Sequence, residues 1–193
     1  MANKIKYGLS RVYYALATID TSTGAATYGS PKALAGAVSL DMEPSGESNK
    51  FYADNVAYAT FAANAGYEGT LTIALINDDF RKDVLGEVVE SHIQYEKAQA
   101  STTPFALLFQ FEGDDAATRH VFYNCTASRP KVSSQTTEET VEVQTEEINL
   151  VCGSIYNAAL DANIVKGKCS DSTATEYTNW FSAVQQKTSG SST

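Results

Sequence analysis

Histidine, cysteine, tryptophan and proline are all scarce in this chain of 193 residues, which holds two, three, one and four of them. His92 and His120 are too few, and too far from any Cys or carboxylate at ligand spacing, to form a zinc centre or a familiar acid–base pair. Cys125, Cys152 and Cys169 are odd in number and widely spaced, which fits neither a disulfide framework nor a metal knuckle; reduced structural thiols are expected. Gly-rich phosphate loops, nucleophile elbows, HExxH and EF-hand patterns are missing, so neither an enzyme nor a cofactor is indicated. No apolar run is long enough for a membrane-spanning helix. The opening MANKIKYGLSR leads into no apolar signal region, so the chain is expected to stay in the cytoplasm where it is made. Basic residues are outnumbered by acidic ones, 14 to 23, for a net charge of −9. That is the wrong sign for neutralising phosphates, so DNA as a partner would be repelled rather than bound.

What is present is a core and a two-residue rhythm. Hydrophobic residues make up 43% and charged residues 19%, enough to bury one domain. Apolar and polar side chains alternate through stretches rich in Tyr, Val, Thr and Phe, which predicts a mainly β protein. Strands are expected over residues 11–19 and 32–42, the second with Leu34, Val38, Leu40 and Met42 on one face, and over residues 69–75 with Leu71, Ile73 and Leu75 inward. Residues 88–95 read as another strand. Phe105, Leu107, Phe109 and Phe111 alternate on the next, and residues 119–132 return with Val121, Tyr123, Cys125 and Ala127 on one face. Two helices break the pattern. The first, over residues 77–86, has Asn77 as N-cap, Asp78 and Asp79 at the positive end of the dipole, a stripe of Phe80, Val84 and Leu85, and Gly86 just past its end. The second, over residues 173–184, has a capping box of Thr173 and Glu176 and a stripe of Tyr177, Trp180, Phe181 and Val184. The small polar residues 188–193 have nothing to bury and are expected to be disordered.

Acidic pairs at Asp78-Asp79, Asp114-Asp115, Glu138-Glu139 and Glu146-Glu147 have plain places at a helix start, a turn or a solvated strand. The segment 137–152 is more informative. As a strand it gathers Glu138, Glu142, Gln144 and Glu146 on one face, opposite Val141 and Val143, whereas Ile148 and Leu150 have the other parity. A bulge near residues 144–147 would reconcile the two, and the acidic face would suit the wall of an aqueous channel. Between the turns at Pro44-Ser45-Gly46 and Gly66, Phe51, Tyr52, Tyr58 and Phe61 form aromatic stretches around Asp54-Asn55. They suit either core or, if the segment 43–66 projects, contacts between subunits.

Along most of the chain, a series of short stretches resembles the major tail (tail tube) protein family of siphophages, the phages with long non-contractile tails, of Gram-positive bacteria. The carriers are Lys6-Tyr7-Gly8-Leu9 with Val12-Tyr13-Tyr14-Ala15, Gly36-Ala37-Val38-Ser39-Leu40, Glu43-Pro44, Phe51-Tyr52-Ala53-Asp54-Asn55 and Gly66-Tyr67. Pro104-Phe105-Ala106-Leu107-Leu108-Phe109, Arg119-His120-Val121, Tyr123-Asn124-Cys125 and Tyr177-Thr178-Asn179-Trp180-Phe181 continue the series. The resemblance implies an antiparallel β-sandwich or small barrel with a flanking helix, whose hexameric rings stack into a tube for DNA ejection. It implies as partners other copies of the chain, a tape-measure protein and tail-tip and terminator proteins, with double-stranded DNA passing unbound and no membrane. The place implied is the virion tail, assembled in the host cytoplasm. Laid on this chain, it gives an N-terminal arm over residues 1–10, a tube domain over 11–152 and a C-terminal segment over 153–187 whose path is open. A tube protein of a phage-derived secretion or bacteriocin-like particle, and a glycan-binding β-sandwich of a tail tip, are the competing readings.

Overall fold

Alternation becomes strand almost everywhere it was expected, but the boundaries and faces shift. The structure, a computed structural model, describes residues 7–46, 48–53, 56–62, 64–113, 117–134, 136 and 143–188, with the backbone alone for 48–53 and 56–62. The first strand, β1 (Tyr7–Ile19), starts earlier than expected and draws Tyr7 to Ser10 out of the supposed arm into the sheet. A turn built on Asp20, which accepts from the Ser22 amide and the Ser22 and Thr23 hydroxyls, leads into a short return strand, β2 (Ala26–Tyr28). The strand expected over 32–42 is two strands, β3 (Lys32–Ala33) and β4 (Ala37–Ser45), parted by a turn in which Gly36 has a φ of 90°. A register shift between Ala37 and Ser39 turns Val38 outward, while Leu40 and Met42 pack on the core.

The hairpin of β5 (Ser48–Ala53) and β6 (Val56–Ala62) pairs with itself and stays off the main sheet. Strand β7 (Gly66–Ile73) buries Leu71 and Ile73 as predicted; it stops at Ile73, so Leu75 is 70% exposed rather than inward. Helix α1 (Asp78–Asp83) follows with its expected parts in place: the Asn77 side chain accepts from the Phe80 amide, Phe80, Val84 and Leu85 are buried, and Gly86 has a φ of 72°. The single strand expected over 88–95 is instead a hairpin of β8 (Val88–Glu90) and β9 (Ile93–Tyr95). Ser91 and His92 both have positive φ, at 51° and 68°, so His92 lies in the turn and not on a strand.

Strand β10 (Phe105–Glu112) is buried on both faces: Ala106 and Leu108 are as enclosed as Phe105, Leu107 and Phe109. Its partner β11 (Arg119–Ala127) ends before residue 132 and does not keep one face. A register shift between Phe105 and Leu107 places an extra residue in β11, so Val121 and Tyr123 face one way and Cys125 and Ala127 the other, with Phe122. Strand β12 (Glu146–Gly153) begins at Glu146, and Val143 lies exposed before it, so the change of parity needs no bulge. Residues 137–142 are outside the described part, as are 189–193. The uncertain segment 153–171 folds as a hairpin of β13 (Ile155–Asn157) and β14 (Ala162–Ile164), then β15 (Lys166–Cys169), which pairs with β11 of its own subunit. Helix α2 (Thr175–Thr178) is shorter than expected. Thr173 bonds to Asp171 instead of capping it, and the chain beyond runs on as turns to Ala183.

The fold is mainly β and antiparallel, with the main sheet in the order β2-β1-β10-β11-β12-β7-β4, β3 added to β1 and β15 added to β11. Its two ends come near each other. Ala33 is paired to β1 and Ala37 begins β4, four residues that span at most about 14 Å, so the sheet is curled into a partly open barrel. Inside lies the larger core, with Tyr14, Leu34, Leu71, Ile73, Phe105, Leu107, Ile148 and Leu150 closed over by Phe80, Val84 and Leu85 of the α1 region. Cys125 and Cys152 stand opposite each other on β11 and β12 within this core and are joined as a disulfide, which corrects the expectation of three reduced thiols; Cys169 is free. A second cluster lies on the outer face of β1, β10 and β11, where Ala15, Ala106, Leu108, Val121 and Tyr123 are covered by Ile155 and Trp180.

Candidate functional surfaces

The outer face of the barrel is dressed on one half and bare on the other. Over β1, β10 and β11 the C-terminal segment is fastened at many points. The Trp180 indole donates to the His120 carbonyl at 3.2 Å, Tyr123 donates to the Gln185 carbonyl at 2.9 Å, and Asn157 donates to the Lys187 carbonyl at 3.1 Å. Arg119 stacks its guanidinium 3.7 Å from the Tyr177 ring centre and donates to the Tyr177 carbonyl, while Phe181 packs on Tyr13. The C-terminal segment, whose path the sequence left open, is therefore fastened to its own subunit as far as Lys187.

Over β4, β7 and β12 nothing covers the outer face among the described residues. Leu40, Met42, Leu71, Ile73, Ile148 and Leu150 point inward, so alternation sends Ser39, Asp41 and Glu43, then Glu68, Thr70 and Thr72, then Glu147, Asn149 and Val151 outward. Strand register lines them up in rows: Ser39, Thr72 and Glu147; Asp41, Thr70 and Asn149; Glu43, Glu68 and Val151. Four of the nine are carboxylates and none is basic. Glu43 stands directly opposite Glu68, whose carboxylate accepts from Ser45 at 2.7 Å, and Thr70 donates to Asn149. Gly69, of inward parity between Glu68 and Thr70, is required because a Cβ there would collide with the Asp41 carbonyl.

Of the residues singled out by sequence, Gln144 is exposed just before β12, and Glu138 and Glu142 lie outside the described residues. Glu146 is half-buried: one oxygen accepts from Arg81 at 2.8 Å and the other from the Ile76 amide at 2.7 Å, which ties α1 to the start of β12. Phe51, Tyr52, Tyr58 and Phe61 fall on β5 and β6, where Phe51 is opposite Ala59, Tyr52 opposite Ala57, and Tyr58 is the extra residue of a bulge. The acids Asp41, Glu43 and Glu68 were not singled out by sequence reading, and Glu147 was read only as one of a pair with a plain place on a solvated strand. The signal was there in the interleaving of Leu40-Asp41-Met42-Glu43, but it needs the knowledge that β4 and β7 are neighbours.

Among the described residues no three His, Cys, Asp or Glu side chains come together to hold a metal ion, and no helix is long and apolar enough to cross a membrane. The sequence model of the phage tail tube protein family matches residues 2–100, just over half of the chain. No curated protein matches it. A solved structure described as the cryo-EM structure of the anti-feeding prophage (AFP) baseplate, 6-fold symmetrised, is similar over 82% of this chain and 92% of its own, at 10% identity and a TM-score of 0.41.

Proposed function

Because the chain belongs to the phage tail tube protein family, we propose that it is the structural subunit of a tube wall, joined in hexameric rings that stack around a channel through which DNA is ejected. The observation that carries this reading is the division of the barrel's outer surface. A sheet face with aligned Asp41, Glu43, Glu68 and Glu147, and with no cation and no covering among the described residues, suits the channel side, where a hydrated wall of one charge sign gives DNA no place to adhere. Glu138, Glu142 and Gln144 precede β12 in the chain and extend that lining; Glu146 is already committed to Arg81. The edge of β4, unpaired among the described residues, offers backbone for continuing the sheet into the next subunit, and the β5–β6 hairpin, with Phe51, Tyr52, Tyr58 and Phe61, is the contact arm.

In this reading the chain has no catalytic role. Its partners are further copies of itself, a tape-measure protein, and tail-tip and terminator proteins at the ends, and its place is the virion tail after assembly in the host cytoplasm. Electron microscopy of the purified chain at high concentration tests the reading: tubes with a central channel are expected, whereas channel-free aggregates, or monomers that persist even when tail-tip proteins are present to start assembly, overturn it. For the lining, Asp41→Lys with Glu68→Lys, and separately Glu138→Lys with Glu142→Lys, should leave tubes intact and reduce DNA delivery. Normal infectivity of both double variants would remove the acidic wall.

A further inference from the structure

The β8–β9 hairpin is an apolar projection. Its ladder is three residues long, too short to be stable alone, and it is pinned at its root: Glu87 faces Arg81, Glu96 faces Arg129, Gln94 donates to Glu87, and Arg129 donates to the carbonyls of Lys97 and Ala100. On the pinned hairpin Val88, Ile93 and Tyr95 share one side, since Val88 is paired with Tyr95 and Glu90 with Ile93. They are 37%, 54% and 46% exposed. Glu87 and Glu96 have cations beside them; Glu90, on the same side as the three apolar residues, has no ion pair among the described residues.

At the far end of β10 is the complement. Where β10 finishes and β11 begins, the barrel opens into a cavity of about 260 Å³ walled by Met42, Tyr67, Phe109, Phe111 and Phe122, with Asp41, His120 and Lys166 as its polar lining. At about 30 Å³ per water this partly aromatic space would hold several waters. Lys166 stands at its rim, its ammonium 4.4 Å from the centre of the Tyr67 ring, and Lys168 follows on the exposed side of β15. Neither lysine has a carboxylate partner among the described residues.

The hairpin joins α1 to the start of β10, and the cavity lies at its finish. From Phe105 to Phe109 and Phe111, four and six residues on, that is about 13–20 Å, more than a pinned ladder of three residues can span. One surface cannot reach the other within a subunit, but two copies set head to tail bring them together. Different patches meeting in this way make a heterologous contact, which propagates into a ring or a filament. We infer that the β8–β9 hairpin of one copy seats Val88, Ile93 and Tyr95 in the aromatic cavity of the next, with Glu90 against Lys166 and Lys168. This contact rests on the tube-subunit reading and gives it a specific joint, separate from the edge of β4 and the β5–β6 arm.

Charge exchange tests it. Glu90→Lys alone, and Lys166→Glu with Lys168→Glu alone, each place like charges in the joint and should raise the concentration for half-assembly by about tenfold or more. Mixed in equal amounts, the two variants present opposite charges at every joint and should assemble as the wild type does. Circular dichroism of each variant establishes that it is folded. Variants that assemble separately as well as the wild type, or a mixture that fails as its components do, overturn the joint while leaving the tube reading in place. If the wild type itself forms no tubes, zero-length carbodiimide coupling in a mixture of isotopically labelled and unlabelled chains still decides the matter. A cross-copy peptide joining Glu90 to Lys166 or Lys168 supports the contact, and its absence at millimolar protein overturns it.

Discussion

Three tyrosine hydroxyls are each spent on one internal acceptor. Tyr14 donates to Asp83, Tyr28 to the Tyr123 carbonyl, and Tyr123 to the Gln185 carbonyl. Burial pushes all three up from the ordinary tyrosine value, with the Asp83 carboxylate adding to the effect at Tyr14; Tyr123 is raised to about 12. A group that holds its proton more tightly when folded contributes stability that is full below its unfolded value, near 10, and is lost as pH rises through the folded one. Denaturant midpoints should therefore be level up to about pH 10 and fall between about pH 10 and 12, with phenolate absorbance rising together with unfolding. Tyr123→Phe should flatten part of that fall, and an unchanged alkaline slope would show that its hydroxyl is not held as described. Residue-scale features such as the Asn77 cap were legible because their partners are adjacent in sequence. The acceptors of these tyrosines were not, since Asp83 and Gln185 are far along the chain.

Elements were legible where the signal was local and misplaced where a neighbour decided it. Helix α1 has its cap, dipole charges and apolar stripe within ten residues and formed where it was read, though it ends at Asp83, short of the expected 86. The C-terminal helix had the same ingredients on paper, but Trp180, Phe181 and Val184 are held by the sheet beneath them, and the helical hydrogen bonds give way to turns after Thr178. The strand expected over 88–95 failed because two positive-φ residues in sequence, Ser91 and His92, carry none of the usual glycine or asparagine signal. Trp180, 4% exposed and bonded to the His120 carbonyl, is the centre of the C-terminal clasp. Trp180→Ala should cost about 3–5 kcal/mol in denaturant unfolding, and protease should then remove the segment after Cys169 first. A cost below about 1 kcal/mol would mean that the clasp is not part of the folded core.

At the scale of the whole molecule, the outer face of β4, β7 and β12 places charge where it does not help the isolated subunit to fold. Glu43 and Glu68 face each other across β4 and β7, an arrangement that repels in a single copy. Replacing Asp41, Glu43, Glu68 and Glu147 together by their amides should leave stability equal or higher by roughly 0.2–1 kcal/mol in urea unfolding. A loss instead would mean that the fold, not assembly, keeps those acids. Mainly β architecture could be read from alternation alone. Which strands share that acidic face could not, because it is set by pairings between residues 39–43, 68–72 and 147–151, which no local pattern announces.

The extra residue in β11 marks the border between the two halves of the outer surface. Before it, outward positions are Val121 and Tyr123, under the clasp; after it they are Asn124 and Thr126, polar and next to Val151 of the open face, while Cys125 has been turned inward to meet Cys152. Chain length over residues 122–125 is therefore a constraint of its own. Most substitutions there change one contact, but a single deletion would rotate everything after it, put a cysteine on the surface and slide the seam between the covered and bare halves. A lineage of such subunits should accept varied side chains at this point far more readily than it accepts a change in the number of residues.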